Sequence, residues 1–176
     1  MDFGNNGGTA IVTQEGGTFN VLGGASGLAV GRQGATGSLT LSGGLFNEED
    51  AAGTTFGLDS GGSGTGTLTL SGGTFEESAS NVLTFNTPSS YINFTTGSKS
   101  VLSLFEASTS DLDGLVTAGD IEVGDTVDTN TSDFAIAGSS SGQGTLQLVP
   151  EPSAWALMLG GLGGLMFIRR KRFSTV

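Results

Sequence analysis

Apolar and polar positions alternate along short stretches of this chain. Leu39 and Leu41 alternate with Ser38, Thr40 and Ser42, and Leu68 and Leu70 alternate with Thr67, Thr69 and Ser71. A period of two puts the leucines on one face, which predicts strands with one buried side. Each stretch ends in paired glycines, Gly43-Gly44 and Gly72-Gly73. Such pairs reach positive φ without penalty and suit a tight corner. Phe46 and Phe75 then return toward the core.

These segments are copies of one another. The ten residues from Gly37 to Phe46 recur as those from Gly66 to Phe75, 29 positions later. A degenerate earlier copy runs Ala10-Ile11-Val12-Thr13, then Gly16-Gly17-Thr18-Phe19. The stretch before the clear copies also matches itself, Gly27-Leu28-Ala29-Val30-Gly31 with Gly57-Leu58-Asp59-Ser60-Gly61, at a spacing of 30. Self-similarity at a fixed period of this size signals a solenoid, propeller or array. A unit this short cannot bury its apolar face alone, whereas stacked copies can. The expected fold is all-β, a parallel β-helix of Gly-rich repeats. The repeat resembles those of autotransporter passengers and large bacterial surface proteins. The alternative fold is an antiparallel sandwich with Gly-rich hairpins.

Beyond Phe75 the pattern loosens. Val82-Leu83-Thr84-Phe85, Tyr91-Ile92-Asn93-Phe94 and Val101-Leu102-Ser103-Leu104-Phe105 predict further strands. Residues 110–118 predict a short helix, with Ser110 as N-cap and Gly119 after its end. Ile121-Glu122-Val123, Phe134-Ala135-Ile136 and Thr145-Leu146-Gln147-Leu148 predict short strands. Such a region would cap the solenoid, because exposed terminal rungs invite edge pairing. Three parts result: repeats over 1–80, their continuation and cap over 81–148, and a tail over 149–176.

Composition narrows the function classes. Gly makes up 32 of 176 residues, far above the usual share of about 7%. Cys and His are absent, which removes disulfides, thiolate chemistry and the commonest general base and transition-metal ligand. Residues 1–168 hold all 17 acids against two bases, Arg32 and Lys99, for a net charge of −15. Nucleic acid is excluded as a partner, because phosphate binding needs clustered Lys and Arg.

The tail is of another character. Val149-Pro150-Glu151-Pro152 precedes an uncharged run over 154–168, which includes Ala154, Trp155, Leu157, Leu159, Leu162, Leu165, Phe167 and Ile168. Arg169-Arg170-Lys171-Arg172 follows at once, with four of the six basic residues of the chain. Ser153 suits the N-cap of a helix that Pro152 cannot extend backward. At about 1.5 Å per residue that helix spans roughly 22 Å. This is short of a hydrocarbon core of about 30 Å. Snorkelling arginines and interfacial Trp155 extend the fit. The positive-inside rule keeps the basic cluster in the cytoplasm and the body outside.

These parts, in this order, resemble the PEP-CTERM sorting signal of Gram-negative and related bacteria. The resemblance covers the final 26 or so residues. It implies recognition by an exosortase, a membrane-embedded cysteine transpeptidase, with Pro150, Glu151 and Pro152 as the motif and cleavage near them. Arg169 to Arg172 would be the stop-transfer cluster. It also implies export, transit through the inner membrane, delivery to the cell surface or matrix, and association with exopolysaccharide. Such proteins open with a secretory signal peptide. Here residues 1–8 have no basic or apolar region of that kind, and they read like the middle of a repeat. The expectation is a start assigned too late, or a fragment.

Candidate chemistry in the body is sparse. Glu48-Glu49-Asp50 and Glu76-Glu77 follow equivalent corners. Carboxylate pairs can serve glycoside hydrolysis or hold a cation. The plainer reading, a solvated charged loop, is the expectation. Asp111-Leu112-Asp113-Gly114 begins like a calcium loop but lacks the distal ligands. Asp125, Asp128 and Asp133 are irregularly spaced, so only diffuse calcium binding is expected. Gly160-x-x-x-Gly164 matches a helix-dimer motif that a Gly-rich span can hardly avoid. Without His no Ser-His-Asp triad can form. The expectation is a non-enzymatic surface protein without cofactor, catalytic residue or specific metal. A polysaccharide-binding adhesin and a polysaccharide-active β-helix enzyme are the alternatives.

Overall fold

The computed structural model describes residues 1–22, 27–57, 64–79 and 83–149. Within them the chain winds through about four turns, each with three strands. The first turn holds β1 (Asp2–Phe3), β2 (Thr9–Gln14) and β3 (Thr18–Val21). The second holds β4 (Leu28–Val30), β5 (Thr36–Leu41) and β6 (Leu45–Glu48). The third holds β7 (Thr54–Phe56), β8 (Thr65–Leu70) and β9 (Thr74–Glu77), and the fourth β10 (Leu83–Phe85), β11 (Tyr91–Phe94) and β12 (Val101–Phe105). Equivalent strands of successive turns pair in parallel and build three sheets, the architecture of a β-solenoid. The parallel ladders overturn the antiparallel sandwich. A sandwich would need hairpins, and the Gly-Gly corners instead turn the chain into the next sheet.

Register follows from the alternation. Leu39 lies opposite Leu68 and Leu41 opposite Leu70, and all four are fully buried. Leu39 and Leu68 belong to a column that runs from Val12 to Ile92 and Ile121. In the third sheet Phe19, Phe46 and Phe75 form an aromatic column, with ring centroids 5.1 Å and 5.5 Å apart and near-parallel planes. Phe56 and Phe85 stack in the same way in the first sheet, at 5.1 Å. A shift by one residue would turn these columns outward, so burial fixes the register. Phe46 and Phe75 lie between neighbours and are 1% and 0% exposed; Phe19, in the first turn, is 41% exposed.

Two corners demand glycine. Gly31 has φ +73°, and a Cβ there would run into the Thr65 carbonyl oxygen of the next turn. Gly44 has φ +79°, and a Cβ would meet the Gly17 carbonyl oxygen of the turn before. Side-chain hydroxyls also tie turns together: Ser42 Oγ donates to Gln14 O at 3.3 Å and Ser71 Oγ to Leu41 O at 3.2 Å.

One sequence match does not survive. Gly31 and Gly57 occupy equivalent corners, and Leu28 pairs with Thr54, not with a residue 30 positions on. Gly57 therefore follows the first-sheet strand, as Gly31 does, and does not precede it as Gly27 does. The spacing from β4 to β7 is 26 residues and that from β5 to β8 is 29, because the connection from first to second strand has five residues in the second turn, 31–35, and eight in the third, 57–64.

The far end is capped. Helix α1 (Thr109–Ala118) buries Leu112 and Val116. Its N-cap is Ser108, two residues before the expected Ser110. Ser108 and Asp111 form a reciprocal capping box, with Ser108 N donating to Asp111 Oδ2 at 2.9 Å and Asp111 N to Ser108 Oγ at 3.3 Å. Ser110 also has an acid three positions on, Asp113, but the reciprocal bonds join Ser108 to Asp111. Gly119 ends the helix in the left-handed region. Then β13 (Ile121–Val123) adds to β11 in parallel. At the outer edge β14 (Phe134–Ala137) adds antiparallel to β15 (Gln143–Leu148), which pairs with β12 in antiparallel fashion.

Among the described residues no helix is long and apolar enough to cross a membrane. The expected span, Pro150-Glu151-Pro152 and the basic cluster lie outside the described residues. Val149 is described: its N–H donates to Asp133 O at 2.8 Å.

The aromatic column yields a direct test. Phe75→Ala leaves a void between Phe46 and Leu102, and a buried Phe→Ala change costs about 3–5 kcal/mol. Denaturant unfolding should register this as a large fall in midpoint. A loss below about 1 kcal/mol would mean that the column carries no core packing.

Candidate functional site

The acids after the Phe corners are not a solvated loop. The alternation that brings Phe46 inward continues through Asn47 outward to Glu48 inward, and in the next turn through Phe75, Glu76 and Glu77. Glu48 and Glu77 are paired in register, and both are fully buried. Asp50 is also buried, while Glu49 is exposed and Glu76 half-buried. The strands extend two residues further than a corner-then-loop reading allows. The signal was available: each inward Glu stands two positions after an inward Phe.

The pair occupies a column that is otherwise apolar. Val21 lies beneath Glu48, and Leu104 lies above Glu77. Thr54, buried at the start of β7, occupies a column between Leu28 and Leu83 and bears on Glu77. Sequence reasoning missed Thr54, because its role depends on where the first and third sheets meet.

The hydrogen bonding here is uneven. Glu48 Oε2 accepts from Asp50 N at 3.0 Å. The Asp50 carboxylate accepts from Gly27 N and from Ala52 N, each at 3.0 Å. Asp50 is therefore the strut of the corner. By contrast Glu48 Oε1, both Glu77 carboxyl oxygens and Thr54 Oγ1 make no hydrogen bond of good geometry. Glu77 is nonetheless close enough to Thr54 and Glu48 for each to alter its proton affinity.

Burial has the expected consequence. Loss of solvent pushes the Glu77 carboxyl up to about 10; Thr54 opposes this, while the Glu48 and Asp50 carboxyls add to it. Glu48 is also pushed above the usual carboxylate range, first by burial. Both are sealed from solvent, with Glu77 under the greater depth of protein. Glu77 is thus a neutral acid near pH 7.

The remaining candidates separate. Asp111 is held below the usual carboxylate range by its bonds from Ser108. With Leu112 buried in α1, the Asp111–Gly114 string is helix, not a loop around an ion. Asp128 and Asp133 accept from Asn130 N and Asn130 Nδ2 within one local turn, while Asp125, after β13, accepts from Asn93 Nδ2 on the neighbouring strand β11. Among the described residues no group of three or more acidic side chains stands close enough to hold a metal. A recess of about 330 Å³ lies elsewhere, against Val12, Gln14, Glu15, Phe19 and Phe46. It does not contain the buried glutamates; the acid that lines it is Glu15.

No known protein family, no curated protein and no solved structure matches this chain.

Asp50 and Glu49 should respond in opposite ways to mutation. Asp50→Ala removes acceptors for two backbone N–H groups, and bonds to a charged group are worth about 1.5–3 kcal/mol each. Thermal and denaturant unfolding should show a loss of about 2 kcal/mol or more. Glu49→Gln, on the exposed side, should stay within about 0.5 kcal/mol of the parent. Equal effects of the two changes would refute the assignment of Asp50 as the strut.

Proposed function

We propose that this chain is an exported, non-catalytic β-solenoid of the bacterial surface or extracellular matrix, delivered by a PEP-CTERM type sorting signal. The observation that carries the reading is the order of the tail: Val149-Pro150-Glu151-Pro152, an uncharged run over 154–168, then Arg169 to Arg172. The body supports it in one respect. Its final strand ends at Leu148, directly before the motif, so cleavage near Pro150–Pro152 would leave every described strand in place. Two further features favour a structural role. The paired acids are sealed within the wall, and the chain has no His to act as general base.

In this reading the apolar run holds the chain in the inner membrane with the body outside. Arg169 to Arg172 hold the orientation, since positive charge fixes the cytoplasmic end. An exosortase-type transpeptidase reads Pro150, Glu151 and Pro152 at the outer membrane face and releases the body. Exopolysaccharide is the environment the body enters.

The test uses a host that carries an exosortase and a chain preceded by a secretory signal peptide. Changing Pro150, Glu151 and Pro152 to Ala should leave insertion intact and abolish processing. Deleting residues 169–172 should weaken retention and orientation. Mass of the mature protein and its membrane fraction are the readouts. Processing of the triple-Ala variant at the parental rate would reduce the motif to a spacer. A parent that stays full length and membrane-bound would make the tail a plain anchor.

A further inference from the structure

We propose that Glu48, Glu77 and Thr54 form a proton-held latch between the second and third turns, closed while Glu77 carries its proton and released in alkali. The inference rests on the burial and chemistry of the three side chains, and it does not depend on how the chain is sorted.

The cluster consists almost wholly of acceptors. Four oxygens lack a partner, namely Glu48 Oε1, Glu77 Oε1, Glu77 Oε2 and Thr54 Oγ1, and all belong to residues fully shielded from solvent. With both carboxyls ionised, the Thr54 hydroxyl would be the one hydrogen available to these four atoms. Two negative charges would then face each other across one strand spacing, about 4.8 Å. Sealed like charges of this kind cannot both persist. One proton on Glu77 resolves the deficit. A Glu77 hydroxyl would donate to the Glu48 carboxyl, and a small rotation of Thr54 would let its hydroxyl donate to the other Glu77 oxygen.

The surroundings set the direction of the response. On β6 and β9 the facing acids are Glu48 and Glu77 themselves. The corner after β6 contributes the Asp50 carboxylate, which raises both. The α-ammonium of Met1 bears on Glu48 and lowers it. β3 and β12 contribute uncharged Val21 and Leu104. The proton is therefore held against a negative neighbour, Asp50, which is itself fixed by Gly27 N and Ala52 N.

Release follows one route. When hydroxide takes the Glu77 proton to form water, the charge at Glu77 repels Glu48. Glu48 Oε2 is the acceptor for Asp50 N, and so its displacement frees the corner over 49–53. The Phe46–Phe75 stack is on the same strands but two positions away, and it keeps the turns in register. The opening is local.

The sign is fixed by linkage. Glu77 holds its proton to about 10 when folded, against 4.5 when free. The closed latch contributes in full below the free value and is lost as pH rises through the folded value. The experiment measures melting temperature and amide-exchange protection of residues 49–53 in the full chain, in detergent, from about pH 5 to about pH 10. Protection is corrected for intrinsic exchange. The parent should lose melting temperature and corner protection across that range. Glu77→Gln, which keeps a donor and has no charge to gain, should lose little and melt above the parent at about pH 9. Glu76→Gln, on the outward side, should follow the parent. Parallel curves for the parent and Glu77→Gln would overturn the proposal.

Should Glu77→Gln fail to fold, infrared spectroscopy of the parent decides instead. A protonated carboxylic acid band should persist at about pH 7 and fade in alkali. Its absence at neutral pH would overturn the latch. So would a calcium-induced rise in melting temperature that grows with pH in the parent and vanishes in Glu77→Gln, since that would assign the four oxygens to a cation.

Discussion

Everything in this molecule depends on the in-register stacking of like side chains across one strand spacing. Leu39 on Leu68, Leu41 on Leu70 and Phe46 on Phe75 each place identical side chains at the same depth in successive turns. No single turn contains a core. Each inward residue is buried by its copies above and below, so stability is shared between neighbours and not concentrated in a centre. The same logic explains the glycines at the corners. Turns pack so closely that Gly31 and Gly44 meet the backbone of an adjacent turn.

Stacking is indifferent to what is stacked, and the acids exploit this. Glu48 and Glu77 occupy positions where the neighbouring turns have Val21 and Leu104. Once a repeat unit carries Glu at an inward position, its copy places a second Glu against the first. The outcome is a pair of buried carboxyls whose proton affinity is set by burial and by each other. Asp50 shows the contrasting solution, since backbone N–H groups satisfy its charge. Asp50 and Glu77, in successive turns, thus have contrasting surroundings, one bonded by backbone N–H groups, the other lacking such donors and pushed up by burial.

The cap solves the edge problem at the far end by changing strand direction. β15 runs antiparallel beside β12, β14 pairs antiparallel with β15, and α1 buries Leu112 and Val116. Antiparallel strands cannot continue the parallel winding, so the solenoid stops there. The first turn has no such cover among the described residues, and there Phe19 and Ile11 are exposed.

Alternation and a 29-residue period were enough to point to a parallel β-solenoid and to the inward positions of Leu39, Leu41, Phe46, Leu68, Leu70 and Phe75. These are local properties, repeated, and repetition averages out local ambiguity. The end of the helix was legible in Gly119, while its start was not, because Ser110 and Ser108 each have an acid three positions on and the folded bonds between Ser108 and Asp111 decide. The match of Gly27–Gly31 to Gly57–Gly61 failed because equal strings need not occupy equal places when corner lengths vary. The state of the acids lay furthest from view. Alternation from Phe46 and Phe75 points Glu48 and Glu77 inward, but their full burial and raised proton affinity arise only where the first and third sheets meet around Thr54. Depth and solvent exclusion are properties of the assembled turns, and no stretch of sequence carries them alone.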